Sequence, residues 1–392
     1  MEKVRLGIIG VGNMGMPVSN LIAFEKECPE LELAAICDIS EERRQWATNT
    51  FKDKNVKVFA DAEEMMTSGL IDAVYIAVPH YDHPTLAMLA FKHKLHVMIE
   101  KPAGVYTKAV RQMNEAAEKA GVKFGVMFQC RTIPVFKKVK QLLSSGEYGQ
   151  IRGVTWLVTS WYRPQSYYDS GSWRATWAGE GGGVLLNQCP HNLDLIQWLC
   201  GMPEEITAKC SVAQWHDVEI EDDVSAIFKY KNGALGTFIT STGIAPGTNR
   251  LEIATDKGTI IVENSSTLTV NELEMTEQEF AKNMSATFGS PRKTKITYDF
   301  YKEKLGGHSI MLNAFAGAIL RDEPLVARGE EGINSLTLSN GMYLSSWTNA
   351  TVKLPLDEDL FYEELKKRIA TSKHKEVEAV FTDSTGSYQG TK

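Results

Sequence analysis

The sequence has no apolar run near the roughly 20 residues that a membrane-spanning helix needs, no closely paired cysteines and no surplus of positive charge. The first absence argues against a helical membrane protein. The second argues against a disulfide scaffold: Cys28, Cys37, Cys130, Cys189, Cys200 and Cys210 are scattered over 392 residues, several in apolar segments where a reduced thiol acts as a small hydrophobe. The third, 42 Lys and Arg against 49 Asp and Glu, removes any sequence-independent attraction to phosphate backbones or anionic lipid. Nucleic acid and membrane are therefore not expected partners. The opening MEKVRLGIIGVGNMG enters a strand directly, without the h-region or small-residue cleavage site of a secretory signal. A reducing, cytoplasmic setting is the expectation.

With 43% hydrophobic and 23% charged residues, the chain is too apolar for disorder, and its length predicts two domains. Over residues 1–125, short apolar runs at 4–9, 31–37, 56–59, 73–78, 96–99 and 123–127 alternate with amphipathic stretches, the pattern of a parallel sheet covered by helices. Helices are predicted at 41–51, 82–92 and 108–120, the last with Thr107 as N-cap and Gly121 as stop. After a helix at 134–143, β-prone segments follow at 151–160, 207–215, 222–230, 235–242, 249–255 and 258–263. Helices at 190–200, 308–321, 329–349 and 357–371 complete an α+β domain over 126–372 with a large, mostly antiparallel open sheet, and 373–392 reads as a polar tail.

Gly10, Gly12 and Gly15 lie directly after the first strand and open the first helix, the context that gives a G-x-G-x-x-G spacing its meaning. Gly10 permits the tight turn, Gly12 lets a pyrophosphate approach the backbone and Gly15 lets helix and strand close together. Asn13 and Met14, within the turn, are assigned to the same dinucleotide site. Asp38, ending the second strand, is placed to accept from both adenosine-ribose hydroxyls and to repel a 2′-phosphate, so NAD is favoured over NADP. Arg43 and Arg44 are read as solvated helix charges.

Glu100-Lys101-Pro102 follows the fifth strand, at the edge where an open α/β sheet holds its ligand. Taken with the Gly10–Gly15 turn, Asp38, Pro79, His83 and the run Gly181-Gly182-Gly183 to Asn187, His191 and Asp194, the sequence resembles the Gfo/Idh/MocA family of oxidoreductases over roughly residues 3 to 350. The resemblance implies a Rossmann domain, a nicotinamide cofactor, a sugar or polyol substrate and a C-terminal sheet that forms dimers or tetramers. It places Pro79, His83, Glu100 and Lys101 beside the cofactor. Oxidising a secondary alcohol needs a base for the hydroxyl proton, and His191 is the candidate. Lys101 would donate to the same oxygen and stabilise its developing charge. The sequence departs from the family at Asn187, where the usual residue is Asp; an amide there positions substrate but carries no charge. Glu180 is a further acid/base candidate, and Asp194 either orients His191 or is a first-turn acid.

Between 156 and 177 lie Trp156, Trp161, Tyr162, Tyr167, Tyr168, Trp173 and Trp177, with Arg163 and Arg174 among them. Rings with polar tips suit a wet sugar pocket, so Trp161, Tyr162, Arg163, Arg174 and Trp177 are assigned to substrate together with Asn187, His191 and His308. No metal is expected, because the H-x-x-H pairs lack accompanying ligands. The leading reading is NAD-dependent oxidation of a sugar, glycoside or inositol hydroxyl. Its alternatives are a redox-neutral glycosidase or epimerase that uses bound NAD transiently, and a non-catalytic sensor.

Overall fold

The structure, a computed structural model, describes residues 2–301 and 307–373. The polar tail beyond Lys373 and Gly306 lie outside the described residues. Six strands, β1 (Val4–Ile9), β2 (Leu31–Cys37), β3 (Lys57–Phe59), β4 (Ala73–Ile76), β5 (His96–Ile99) and β6 (Phe124–Val126), form a parallel sheet in the order β3-β2-β1-β4-β5-β6. Helices cover both faces, so Val4, Leu6 and Ile8 of β1 and all four residues of β4 are buried, as continuous apolar strands require. The order reverses between β1 and β4, and the crevice for a ligand falls there.

Nine further strands make a second sheet: β7 (Ile151–Val158), β8 (Glu205–Val212), β9 (Glu221–Lys229), β10 (Leu235–Ser241), β11 (Asn249–Thr255), β12 (Gly258–Glu263), β13 (Thr267–Leu273), β14 (Lys293–Asp299) and β15 (Val352–Lys353). They run in the order β14-β13-β12-β11-β7-β10-β9-β8-β15, antiparallel except for the parallel pair β7 and β10. Burial alternates along β9, because one face packs against helices while the other stays open. Ile227, Leu235 and Ile239 are exposed on these strands. The periodicity missed β13, which buries Leu268 and Val270 between polar residues, the largely exposed β14, and the short helices Ala62–Thr67 and Glu277–Asn283.

The C-terminal helices do not all stay with the second sheet. His308–Arg321 packs back on β1 and β2, with Asn313 Nδ2 donating to Glu27 O at 2.8 Å and Arg321 Nη2 to Glu30 Oε2 at 2.9 Å. Asn340, on the helix Gly332–Thr348, accepts from Thr107 N at 3.1 Å and donates to Val105 O at 3.0 Å. This corrects the expected N-cap: Thr107 is the buried first residue of the helix Thr107–Ala120, and its first-turn backbone is held by Asn340 rather than by its own hydroxyl. Gly121 ends that helix in the left-handed region, as expected. Among the described residues, no helix is long and apolar enough to cross a membrane.

Candidate active site

At the end of β1 the chain turns at Gly10 with φ +85°, and a Cβ there would lie 2.6 Å from Ala77 O on the neighbouring strand's extension. A Cβ on Gly15 would lie 1.9 Å from Gly10 O, so helix and turn touch as the spacing predicts. Gly12 differs, since a Cβ on it meets nothing within 4 Å. The helix Gly15–Ala23 starts without a side-chain cap and without an acidic residue in its first turn. An open glycine beside uncapped helical N–H groups fits a pyrophosphate. Asp38 accepts from Val11 N at 2.8 Å and Ser40 N at 2.9 Å, which anchors it against the turn and leaves lone pairs for ribose hydroxyls. Arg44 is turned away from this role: Nη1 donates to the carbonyls of Asp38 and Ile39 at 2.9 and 2.8 Å, and Nη2 pairs with Glu41. Arg43 lies against Met16, with Nη1 3.3 Å from Sδ. The donor set thus fits NAD.

Pro79 is half-buried just past β4. His83 is buried, with Nδ1 2.7 Å from Pro102 O and Nε2 2.9 Å from Val78 O. Both ring nitrogens therefore address backbone carbonyls, and His83 braces the turns after β4 and β5 against each other. Glu100 accepts from Tyr75 OH, from Lys101 N at 3.2 Å and from His308 Nε2 at 3.2 Å. Burial would raise its pKa, but the hydrogen bond and charge of His308, with Lys101 and Tyr75, outweigh it and hold the carboxyl at about 2. His308 is thus a partner of Glu100, carried there by a helix that packs on the first sheet.

Lys101 Nζ, partly buried, donates to the backbone carbonyl of Asn187 at 3.1 Å. Burial lowers its pKa, Glu100 opposes that, and Arg174 adds to it. Asn187 itself donates its side-chain amide to Glu180. His191, 3% exposed in the first turn of the helix Pro190–Cys200, lies with Nε2 3.3 Å from Gln129 Nε2. Burial and the Lys101 charge hold its pKa at about 3, so the imidazole is neutral at ordinary pH. Asp194 does not orient it. Its carboxylate takes Arg131 Nε and Nη2 at 2.8 and 2.6 Å, both side chains being 1% exposed. Arg131 also reaches Glu331 Oε2 at 2.5 Å, with Phe128 and Trp198 against its guanidinium.

Three residues that hold this site escaped the sequence reading. Arg131 and Gln129 occupy a short 3-10 turn past β6, and Glu221, fully buried at the start of β9, accepts from Gly183 N, Leu185 N and Tyr343 OH at 2.9, 3.0 and 2.7 Å. Burial raises Glu221 to about 7 despite these donors. Their partners lie many tens of residues away, so only an unusual apolar neighbourhood around a charged residue offered a signal.

The aromatic segment divides. Arg163 stacks between Trp161 and Tyr167 at 5.7 and 5.2 Å, and Arg174 between Tyr167 and Trp173 at 4.6 Å each. Trp161 Nε1 donates to Asn192 Oδ1 at 3.0 Å, which ties this ladder to the residue after His191. Tyr162 is 48% exposed. Trp177 is 6% exposed and packs edge-on against Tyr343 and Trp347 at 5.7 and 5.6 Å. It belongs to the core behind the site, which corrects its assignment to substrate: an indole facing two rings of a buried helix has no face left for a ligand. Among the described residues, no group of three His, Cys, Asp or Glu comes together that could hold a metal ion.

A dinucleotide turn, a buried acid and lysine past β5 and a histidine facing them from the second domain define an NAD-binding oxidoreductase. Residues 4–128 match the oxidoreductase family with an NAD-binding Rossmann fold, and residues 136–261 match the GFO/IDH/MocA C-terminal domain. The chain belongs to the Gfo/Idh/MocA family of oxidoreductases. It is 26% identical to myo-inositol 2-dehydrogenase of Thermotoga maritima over 90% of this chain and 98% of that one. The WlbA dehydrogenase of Bordetella pertussis, solved with NADH and UDP-GlcNAcA, superposes with a TM-score of 0.74 at 27% identity, covering 91% of this chain and 100% of that one. Levoglucosan dehydrogenase, solved with NADH and L-sorbose, shares the fold at a TM-score of 0.74 and 18% identity, covering 91% of this chain and 100% of that one.

Proposed function

We propose that the protein oxidises a secondary hydroxyl of a sugar, glycoside or inositol. The observation that carries this reading is the partly buried Lys101 ammonium at the carboxyl edge of the NAD-binding sheet, held on the carbonyl of Asn187 four residues before His191. Converting CH–OH to C=O releases a hydride and a proton. Bound NAD supplies the hydride acceptor. Lys101 donates to the substrate oxygen and stabilises the charge that develops as the O–H bond breaks. His191, neutral in the unliganded site, is the acceptor of that proton, its low basicity there rising as alkoxide charge develops beside it. The side chain of Asn187 is engaged by Glu180, so this residue positions Lys101 through its backbone. Arg163, Arg174, Trp161 and Tyr162 supply stacking and polar surface for a ring with hydroxyls.

The test is a panel of sugars, glycosides, sugar nucleotides and inositols offered to wild type and Lys101→Ala, with NADH and product followed together. Product with matching NADH in wild type and none in the variant is expected. Product without net NADH would replace this reading by the redox-neutral one, and tight binding of NAD and sugar without turnover by the sensor. The exposed Ile227, Leu235 and Ile239 on the open sheet face further support a homodimer or homotetramer, which light scattering would measure.

A further inference from the structure

Glu180 is a buried carboxylate that the proposed proton route does not use. It is 1% exposed, and the segment before it closes around it: Oε2 accepts from Ala175 N at 2.6 Å, Oε1 accepts from the Asn187 amide, and Arg174 Nη1 lies 3.9 Å away. Its backbone carbonyl faces His80 Nδ1 at 3.1 Å. Burying a charge is costly unless partners hold it, so a carboxylate kept here calls for a role. The contacts lead to Lys101. Asn187 gives its side-chain amide to Glu180 and its backbone carbonyl to Lys101 Nζ at 3.1 Å, so one residue couples the acid to the ammonium. Glu100, adjacent in sequence, has its oxygens on Tyr75, His308 and the backbone N–H of Lys101, and none on the ammonium.

We propose that Glu180 is a positioning residue for Lys101, supplying through Asn187 the buried negative charge that an amide at position 187 lacks. The assignment rests on reading Lys101 as the group that stabilises the alkoxide. It accounts for the orientation of the Asn187 side chain, which the amide bound to Glu180 fixes, while the backbone of the same residue, held by Asn187 N on Gly183 O at 2.9 Å, presents its carbonyl to Lys101. It also gives Lys101 a further counter-charge where burial, Arg174 and Arg163 disfavour the ammonium and Glu100 and Cys130 favour it; burial likewise raises the pKa of Glu180, opposed by Arg174, Ala175 N, the Asn187 amide and Lys101.

The experiment is an NMR titration of isotope-labelled lysines in the full-length protein, with Lys101 assigned through Lys101→Arg, and it needs no substrate. In Glu180→Gln the pH at which Lys101 titrates is expected to fall by about one unit, with NADH affinity within about twofold of wild type. Once a substrate is found, the alkaline limb of its pH–rate profile should move by the same amount. A purely structural role would leave the titration in place, so an unchanged Lys101 curve in folded Glu180→Gln overturns the proposal. If that variant does not fold, Asn187→Asp decides. With Glu180 already supplying the charge, the two carboxyls share a proton and Lys101 moves by less than about half a unit, whereas a rise of a unit or more shows the charge was missing. A substrate panel without turnover would count against the oxidation reading but would leave this titration fully interpretable.

Discussion

In the Gly10–Gly15 turn the chain is shaped by side chains that are missing, whereas between residues 161 and 191 it is shaped by side chains that hold one another. A Cβ at Gly15 would strike the backbone of Gly10, so the geometry is dictated locally and within six residues. The other segment has no such local rule. Its glycine triplet is tied to Glu221 on β9, and the helix carrying His191 to Arg131 past β6. The difference teaches that a dinucleotide turn can be built from spacing alone, while the segment from 161 to 191 needs distant buried charges to fix it.

The largest effect expected from breaking this contrast is at Arg131. Arg131→Met leaves Asp194 buried without its cation and should cost about 3–5 kcal/mol in urea unfolding, most of it recovered in Arg131→Met with Asp194→Leu. A cost below about 1 kcal/mol would mean the pair is not what anchors the His191 helix.

Gly15→Ala is next, because a contact of 1.9 Å with Gly10 O forces backbone to move; a loss of about 3 kcal/mol and of measurable NADH binding is expected.

Glu221→Gln sharpens the comparison through pH. Its carboxyl titrates near 7 in the folded protein against an ordinary 4.5, so the folded state binds the proton more tightly. Wild-type stability from this group is therefore greatest below 4.5 and declines as pH rises to about 7. The variant should lose that slope, about 3 kcal/mol across the window, when melts at either end are compared. Parallel pH dependence in both proteins would count against it.

The smallest effect on stability is expected at Gly12. A Cβ there meets only open space, so Gly12→Ala should unfold within about 0.5 kcal/mol of wild type while binding NADH about tenfold more weakly. Equal NADH affinity would show that the open space is not where the pyrophosphate sits.

Much of the fold was legible because burial imposes a period. Continuous apolar runs marked the parallel strands, and Pro190 with Gly201 bracketed their helix as expected. Strand β14 is polar and largely exposed, and β13, though it buries Leu268 and Val270, is short of apolar residues beyond them, so neither stood out. Within the site, Lys101 and His191 were assigned from motif context, and the structure joins their two segments at Asn187. Trp177 was placed with the substrate from its aromatic neighbours in the chain and His308 as a polar residue at a helix start, yet one turns into the core against Tyr343 and Trp347 and the other bonds to Glu100. Asp194 offered two local readings and took neither, because Arg131 lies 63 residues away.

The sequence by itself determined the parallel and antiparallel halves and the dinucleotide turn, since each depends on a period or a spacing within a few residues. Tertiary structure decided which charges stand together: Arg131 with Asp194, Glu221 under the glycine triplet, His308 on Glu100 and Glu180 behind Asn187. A buried charge must be neutralised by whatever the fold brings next to it, and that neighbour has no fixed distance along the chain.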